Sequence, residues 1–230
     1  MALLLALLAT TLLGGATGQF PGQPSVSLDE FPDDGCAAIK VDSQNPGSKV
    51  LVSALHVTKP PVGDMTVTLS ANVTGTGWPV TVQPPEVVVS SNAADQDVVV
   101  TVTVPAGTSS EQEGTLELKA EATYSAWKGT DRVTVDCALD RVTGLAVTAT
   151  AGKADRDSGL KGTINVTNTG NGQDLFIVKV PTPDKYKPAG VRVPATLLTS
   201  APIGAGKDAP IALVVPVTKD APAGEISILF

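Results

Sequence analysis

Apolar and polar residues alternate in short stretches along most of this chain, and turn-forming residues separate the stretches. The pattern is clearest from Leu160 to Val180, where Ile164 and Val166 lie between polar residues and a denser apolar run follows at 175–180. A period of two predicts half-buried β-strands. The segment between them, 168–174 (NTGNGQD), holds residue types that favour turns. The whole stretch is therefore predicted to be a β-hairpin.

This pattern recurs 110 positions earlier, which predicts two copies of one β module. At this offset Gly190–Pro194 falls on Val80–Pro84. Val215-Pro216 matches Val104-Pro105 at an offset of 111, so one residue of slack is expected in a turn. Several colinear matches of this kind indicate a tandem duplication.

The first module is predicted at residues 35–139 and the second at residues 140–230. Strand candidates in the first are Cys36–Val41, Lys49–Val57, Met65–Val73, Val80–Val82, Glu86–Ser90, Val98–Val104, Thr115–Tyr124 and Asp131–Asp136. Those in the second are Val142–Thr150, Gly162–Thr167, Leu175–Val180, Gly190–Val193, Thr196–Thr199, Ile211–Val217 and Glu225–Phe230. Short strands at this spacing are typical of immunoglobulin-like β-sandwiches, so the predicted fold class is all-β with two such domains in tandem.

The alignment of the two modules leaves the second without its final strand, because the matching residues would follow Phe230. Two explanations remain open. The sequence is a piece of a longer protein, or a strand from a neighbouring chain fills the gap, which would make a homo-oligomer through an unpaired sheet edge. The connection at Leu139–Arg141 is short, so the modules are expected to form a stiff, elongated pair.

The amino-terminal residues 1–18 have the layout of a secretory signal, with an apolar run from Ala2 to Leu13 followed by small residues. A membrane anchor is the alternative, but a spanning helix needs about 20 apolar residues. Residues 19–34 are polar and acidic, and they are predicted to form a solvated linker, because their carboxylates lack the ligand spacing of a calcium loop.

Composition supports the β assignment and excludes one class of partner. Aromatic residues make up only 3% of the chain, and 22 Gly and 18 Pro interrupt any long helical pattern. The formal net charge is −7, and the chain has no run of Lys and Arg. Nucleic acid is therefore not expected as a partner.

The chain has two cysteines, Cys36 and Cys137, on the first and last strand candidates of the first module. In a secreted protein such a pair predicts a disulfide, which would clamp the ends of the module. Two buried free thiols or a redox pair are the alternatives.

Few other residues offer chemistry. His56 is the one histidine, so neither a zinc site nor a His-based catalytic triad is expected, and no enzyme activity, metal or cofactor is predicted. Asn72 and Asn165 begin glycosylation sequons. Trp78 and Trp127 each lie where a turn meets a strand, where they either close the core or stack on a sugar ring.

Three strings of sequence resemble a known family. NVTNTGNGQDLFIVKV and APIGAGKDAPIALVVPVTKDAPAG in the second module, and GWPVTV in the first, are similar to the CARDB-type and α-galactosidase-associated immunoglobulin-like modules of archaeal and bacterial surface proteins. The second module departs from that pattern, since it has Lys187-Pro188 where the Trp would stand. The resemblance implies spacer, adhesion or accessory binding roles without catalytic residues.

The sequence therefore predicts a non-enzymatic, secreted or cell-surface protein with a structural or adhesive role, whose partners are other surface proteins or glycans. One alternative is a carbohydrate-binding accessory module of a secreted hydrolase, with Trp78 or Trp127 contacting sugar. The other alternative is a subunit of a surface filament that assembles by strand exchange.

Overall fold

The computed structural model describes residues 23–150, 152, 154–155, 159–198, 201–222, 224 and 228. These residues fold mainly into antiparallel β-sheets, so the predicted fold class is confirmed. The predicted signal sequence lies outside the described residues. So does the last predicted strand, 225–230, except for Ile228.

The first module is a sandwich of two four-stranded sheets. The strands of one sheet, in spatial order, are β1 (Ser25–Leu28), β2 (Gly47–Thr58), β6 (Ala93–Val104) and β4 (Val80–Gln83). Those of the other are β5 (Glu86–Val89), β3 (Met65–Thr74), β7 (Glu113–Tyr124) and β8 (Trp127–Ala138). Every neighbouring pair is antiparallel.

The core of this module is largely aliphatic and follows the alternation of the sequence. Along β2, Leu51 and Leu55 are buried, whereas Val50 and Val52 are 58% and 53% exposed. Successive side chains of a strand point to opposite faces, so every second residue enters the core. The neighbouring strand β6 contributes Val100, and β7 of the opposite sheet contributes Leu118, both fully buried. Burying each such side chain is favourable by about 1.5–3 kcal/mol.

The amino-terminal boundary of the module differs from the prediction. Within the segment predicted as a linker, Ser25–Leu28 forms β1 and pairs along β2, and Leu28 is buried against Leu55. The predicted strand Cys36–Val41 is instead irregular after a turn that ends at Cys36, with a single bridge from Ile39 to the residue after β8. The polar character of 19–34 hid this strand, because only Val26 and Leu28 of its four residues carry the apolar alternation.

In the second module, the described residues form one sheet and a separate strand pair. The sheet contains β9 (Leu145–Thr150), β10 (Ala154–Asp155), β11 (Gly159–Asn168) and β14 (Asp208–Val215). The pair is β12 (Ile177–Lys179) with β13 (Thr196–Leu198), and a 3₁₀ helix, Pro183–Ala189, lies between them in sequence. Two apolar clusters form its core.

The inward-facing residues of β3, β4 and β6 correspond to residues of the second module at an offset of 111, which is one more than the predicted 110. A shift of one residue moves every side chain of a strand to the other face, so the burial pattern decides the register. The core pairs at this offset are Met65 with Phe176, Val67 with Val178, Leu69 with Val180, Val80 with Val191, Val82 with Val193, Val100 with Ile211, Val102 with Leu213, and Val104 with Val215. The duplication itself stays a prediction.

One flank of the second module is open among the residues that the structure describes. Strand β9 takes the position of β1, because β9 pairs with β11 as β1 pairs with β2. No described strand takes the places of β7 and β8. Val147 pairs with the fully buried Val166 and so points to the core side, yet it is 47% exposed. Leu145 on the same face is 53% exposed.

Replacing Leu118 with Ala tests the core of the first module. The substitution should lower its free energy of unfolding by about 2–5 kcal/mol, because the cavity adds to the lost burial. Val50→Ala, at an exposed position facing solvent, should change it by less than about 0.5 kcal/mol. Urea unfolding followed by Trp fluorescence reports this module alone, since both Trp residues belong to it. Equal effects of the two substitutions would contradict the assigned faces.

Candidate functional site at the joint between the modules

The segment 168–174 is a joint between the two modules and not the turn of a hairpin. The predicted hairpin is wrong, because β11 pairs with β9, β10 and β14, whereas β12 pairs with β13. The residue types that favour turns are used here to bind other backbone segments. The polar side chains of Asn168 and Asn171 are fully buried, so their hydrogen bonds decide the geometry of the joint.

Asn168 holds the segment in shape from within. Its Nδ2 donates to the carbonyl oxygens of Gly172 at 2.6 Å and Ile203 at 2.8 Å. Its Oδ1 accepts from the backbone N–H of Gly170 at 2.9 Å. All the polar atoms of this carboxamide have partners, which a buried amide requires if burial is not to destabilise the fold.

Asn171 attaches the same segment to the connection between the modules. Its Nδ2 donates to the Asp140 carbonyl at 2.7 Å, and its Oδ1 accepts from the Val142 N–H at 2.8 Å. The Asn171 backbone N–H donates to the Val142 carbonyl at 3.0 Å. The connection is thus bound on both sides of Arg141 by one residue of the second module.

Loops of the first module complete the joint. The Ser110 N–H donates to the Asn171 carbonyl at 2.8 Å. The Ser43 N–H and Oγ both donate to the Thr169 carbonyl, at 3.2 and 3.0 Å. A Cβ at Gly170 would collide with the Val142 carbonyl, so glycine allows this close approach of backbones.

An ion pair borders the buried amides. Arg141 donates to Asp174 Oδ1 and to the Gln173 carbonyl, both at 2.7 Å. The guanidinium lies so close to Gly172 that a side chain there would displace it. The ion pair between Arg141 and Asp174 is partly exposed, so it orients the Arg141 side chain but adds little stability.

The connection is also held from the first module. The Asp140 N–H donates to the Ile39 carbonyl at 3.0 Å, and Leu139 forms a parallel bridge with Ile39. The structure joins Cys36 and Cys137 in a disulfide, with their Cα atoms 4.5 Å apart. The cysteines lie three and two residues from that bridge, at the end of the module that faces the connection.

The two Trp residues differ in exposure. Trp78 is 4% exposed and belongs to the core, which leaves no ring face for a sugar and contradicts its proposed stacking role. Trp127 is partly buried against the same core, and its ring covers Gly129. In the second module Tyr186 of the 3₁₀ helix is the buried aromatic.

The two sequon residues also differ. Asn72 lies on β3 with its side chain exposed to solvent. Asn165 lies on β11, and its Nδ2 donates to Asp208 Oδ2 on β14 at 3.2 Å. An exposed amide is the more accessible acceptor for a glycan, and modification of either residue stays a prediction.

A charged cluster that sequence reasoning missed lies where β1 ends. His56 Nδ1 is 2.7 Å from Asp95 Oδ1, and His56 Nε2 is 3.1 Å from Asp29 Oδ1. The hydrogen bond to Asp95, with a smaller contribution from Asp29, raises the pKa of His56 above its ordinary value. Pairing of β2 with β6 places His56 opposite Asp95. Only that register could have revealed the cluster.

Among the residues that the structure describes, no group of three or more His, Cys, Asp or Glu is arranged to hold a metal ion. The described part of the chain also contains no helix of the length and apolar character that a membrane crossing requires.

Replacing Asn171 with Ala should loosen the joint. It leaves the Asp140 carbonyl and the Val142 N–H without their partner, and each buried unpaired group costs about 1–3 kcal/mol. Amide hydrogen exchange at Val142 should accelerate by at least tenfold. Asn72→Ala, which removes an exposed amide, is the control and should leave that rate unchanged. Unaltered protection in Asn171→Ala would show that the joint does not depend on this side chain.

The His56 cluster predicts a pH dependence for the first module. A raised folded-state pKa means that the stabilisation is fully present below the unfolded pKa of about 6.5 and is lost as the pH rises through the folded value. The difference in urea midpoint between the native chain and His56→Gln should therefore be larger at pH 5.5 than at pH 8.5. An equal difference at both pH values would exclude a role for the imidazolium.

No protein-family model and no curated protein matches the chain. The resemblance to CARDB-type and α-galactosidase-associated modules therefore stays a prediction.

Solved structures show limited likeness. The chain is similar to the Salmonella enterica SafA pilin in complex with the SafB chaperone, at 11% identity over 83% of this chain and 84% of that chain, with a TM-score of 0.32. It is similar to a Porphyromonas gingivalis W83 protein of unknown function at 15% identity over 84% of each chain, with a TM-score of 0.32. It is similar to the 35 kDa C-terminal fragment of the major pilin GBS80 of Streptococcus agalactiae at 8% identity, over 84% of this chain and 80% of that chain, with a TM-score of 0.26. Likeness at this level carries no argument about function.

Proposed function

We propose that this protein is a non-enzymatic structural element of the cell surface or extracellular space, in which two β modules act as a stiff spacer. The observation that carries the proposal is the joint. The fully buried Asn171 binds the connection at Asp140 and Val142, while Ser43 and Ser110 bind the joint from the first module.

This arrangement differs from that of a flexible tether. Polar linkers without such contacts sample many conformations. Here each backbone segment of the joint has hydrogen-bond partners in its neighbour. Breaking a buried hydrogen bond is costly where no water replaces the lost partner. A fixed angle between modules is useful where a protein must hold something at a set distance.

The disulfide supports the location. Disulfides persist in oxidising compartments, such as the exterior of the cell, and are rare in the cytosol. The apolar run at the amino terminus has the layout of an export signal. The resemblance to surface-protein modules agrees with this location.

The spacer function can be tested by measuring the distance between the modules. Fluorophores at exposed positions Thr68 and Lys161 should give a narrow distribution of transfer efficiencies in single molecules of the native chain. Asn171→Ala should broaden it, and Asn72→Ala should not. A broad distribution in the native chain would refute a stiff spacer.

The location has its own test. An antibody to the folded chain should label intact cells of the source organism, and protein isolated under thiol-blocking conditions should contain no free thiol. Labelling only after permeabilisation would place the protein inside the cell and overturn this part of the proposal.

The open flank of the second module favours a second function, self-assembly by strand exchange. Leu145 and Val147 face the core side of β9 but remain about half exposed, because nothing described covers them as β8 covers β1 in the first module. A strand from a second copy would bury these two side chains and pair with an edge of the described sheet of the second module.

Self-association measured by sedimentation velocity tests this second function. The native chain should form larger species as its concentration rises, and Val147→Lys should abolish them. Val52→Lys, at an exposed outward position of the first module, is the matched control and should leave association unchanged. A native chain that stays monomeric, or equal behaviour of the two variants, would exclude this flank as the contact.

A further inference from the structure

The disulfide divides the first module into residues that a pull on the chain ends can extend and residues that it cannot. Cys36 and Cys137 are separated by 101 positions, so 100 residues lie between them. These include all of β2 to β7 and nearly all of β8. The bonded cysteines have Cα atoms only 4.5 Å apart. A pull applied beyond both cysteines therefore passes directly through the sulfur atoms.

We propose that the disulfide is a mechanical shunt, which prevents a pull on the chain ends from extending seven of the eight strands of the first module and leaves β1 as the strand that yields. This inference rests on the proposed spacer function, in which the chain is loaded through its two ends. The shunt itself follows from covalent connectivity, because noncovalent contacts break at lower force than the disulfide.

Strand β1 is the exception because it precedes Cys36. Its four residues pair with Leu55–Thr58 of β2. The chain then runs back along β2 towards the disulfide, with the Asp29 N–H donating to the Ala54 carbonyl at 2.9 Å. A pull between Ser25 and Cys36 therefore acts nearly parallel to β1, so the hydrogen bonds between β1 and β2 are loaded together.

Several side chains anchor β1 and the segment after it. Ser53 Oγ donates to the Asp29 carbonyl at 2.7 Å, and the Leu28 N–H donates to Asp131 Oδ2 on β8 at 2.7 Å. Leu28 and Phe31 are 7% and 5% exposed. Asp131 lies inside the disulfide loop, so β1 is fastened to both sheets of the part that the disulfide keeps from being extended.

Force spectroscopy on the full chain, held by handles at its two ends, tests the shunt. In the oxidised protein, release of β1 frees residues 25–35, and the added contour length should not exceed about 40 Å, at about 3.3–3.6 Å per residue. With reductant, the 100 residues of the loop enter the path. An event of about 330–360 Å should then appear. The events of the second module should be the same in both conditions.

Two variants make the result specific. Cys36→Ser with Cys137→Ser should show the long event without reductant. Asp131→Asn removes the anionic acceptor of Leu28, and it should lower the force of the short event without adding the long one. A long event in oxidised native protein would overturn the shunt, as would its absence in native protein under reductant. Because the measurement uses the isolated chain, a cytosolic location or a flexible joint would refute the proposed function while leaving this result intact.

Discussion

The alternation of side chains between the two faces of a strand is the constraint on which the structure depends. With aromatic residues at 3% of the chain, most of the core must come from Val, Leu, Ile and Ala at every second position. A one-residue shift in any strand would expose that set. The duplication obeys the same rule. β3, β4 and β6 correspond to the second module at 111 because this offset, unlike 110, keeps inward residues inward.

The joint follows a different rule, that buried amide groups must be paired. Asn171 bonds the backbone of the connection at Asp140 and Val142, and Asn168 bonds Gly170, Gly172 and Ile203 within the second module. This is why two buried amides and their neighbouring glycines recur in so short a segment. Relative placement of the modules thus rests on hydrogen bonds, whereas each module itself rests on apolar burial.

Sequence reasoning predicted the class, most strand positions and the disulfide, because these depend on local alternation and on a single cysteine pair. It misplaced what depends on long-range pairing. β1 was hidden since two apolar residues are too few to reveal a strand, and the segment 168–174 looked like a hairpin because turn chemistry does not say which strands pair. The His56 cluster depends on the register between β2 and β6, which no local pattern encodes.

The two modules solve the closure of a sandwich in different ways. In the first, β7 and β8 cover the flank beside β1, and the disulfide ties the end of β8 to Cys36 in the segment that follows β1. In the second, the described residues offer neither cover nor crosslink, and β9 has no buried side chain. β9 directly follows the connection between the modules. If the chain bears load as proposed, tension would enter the second module at this exposed strand, and a strand that covers Leu145 and Val147 would reinforce it.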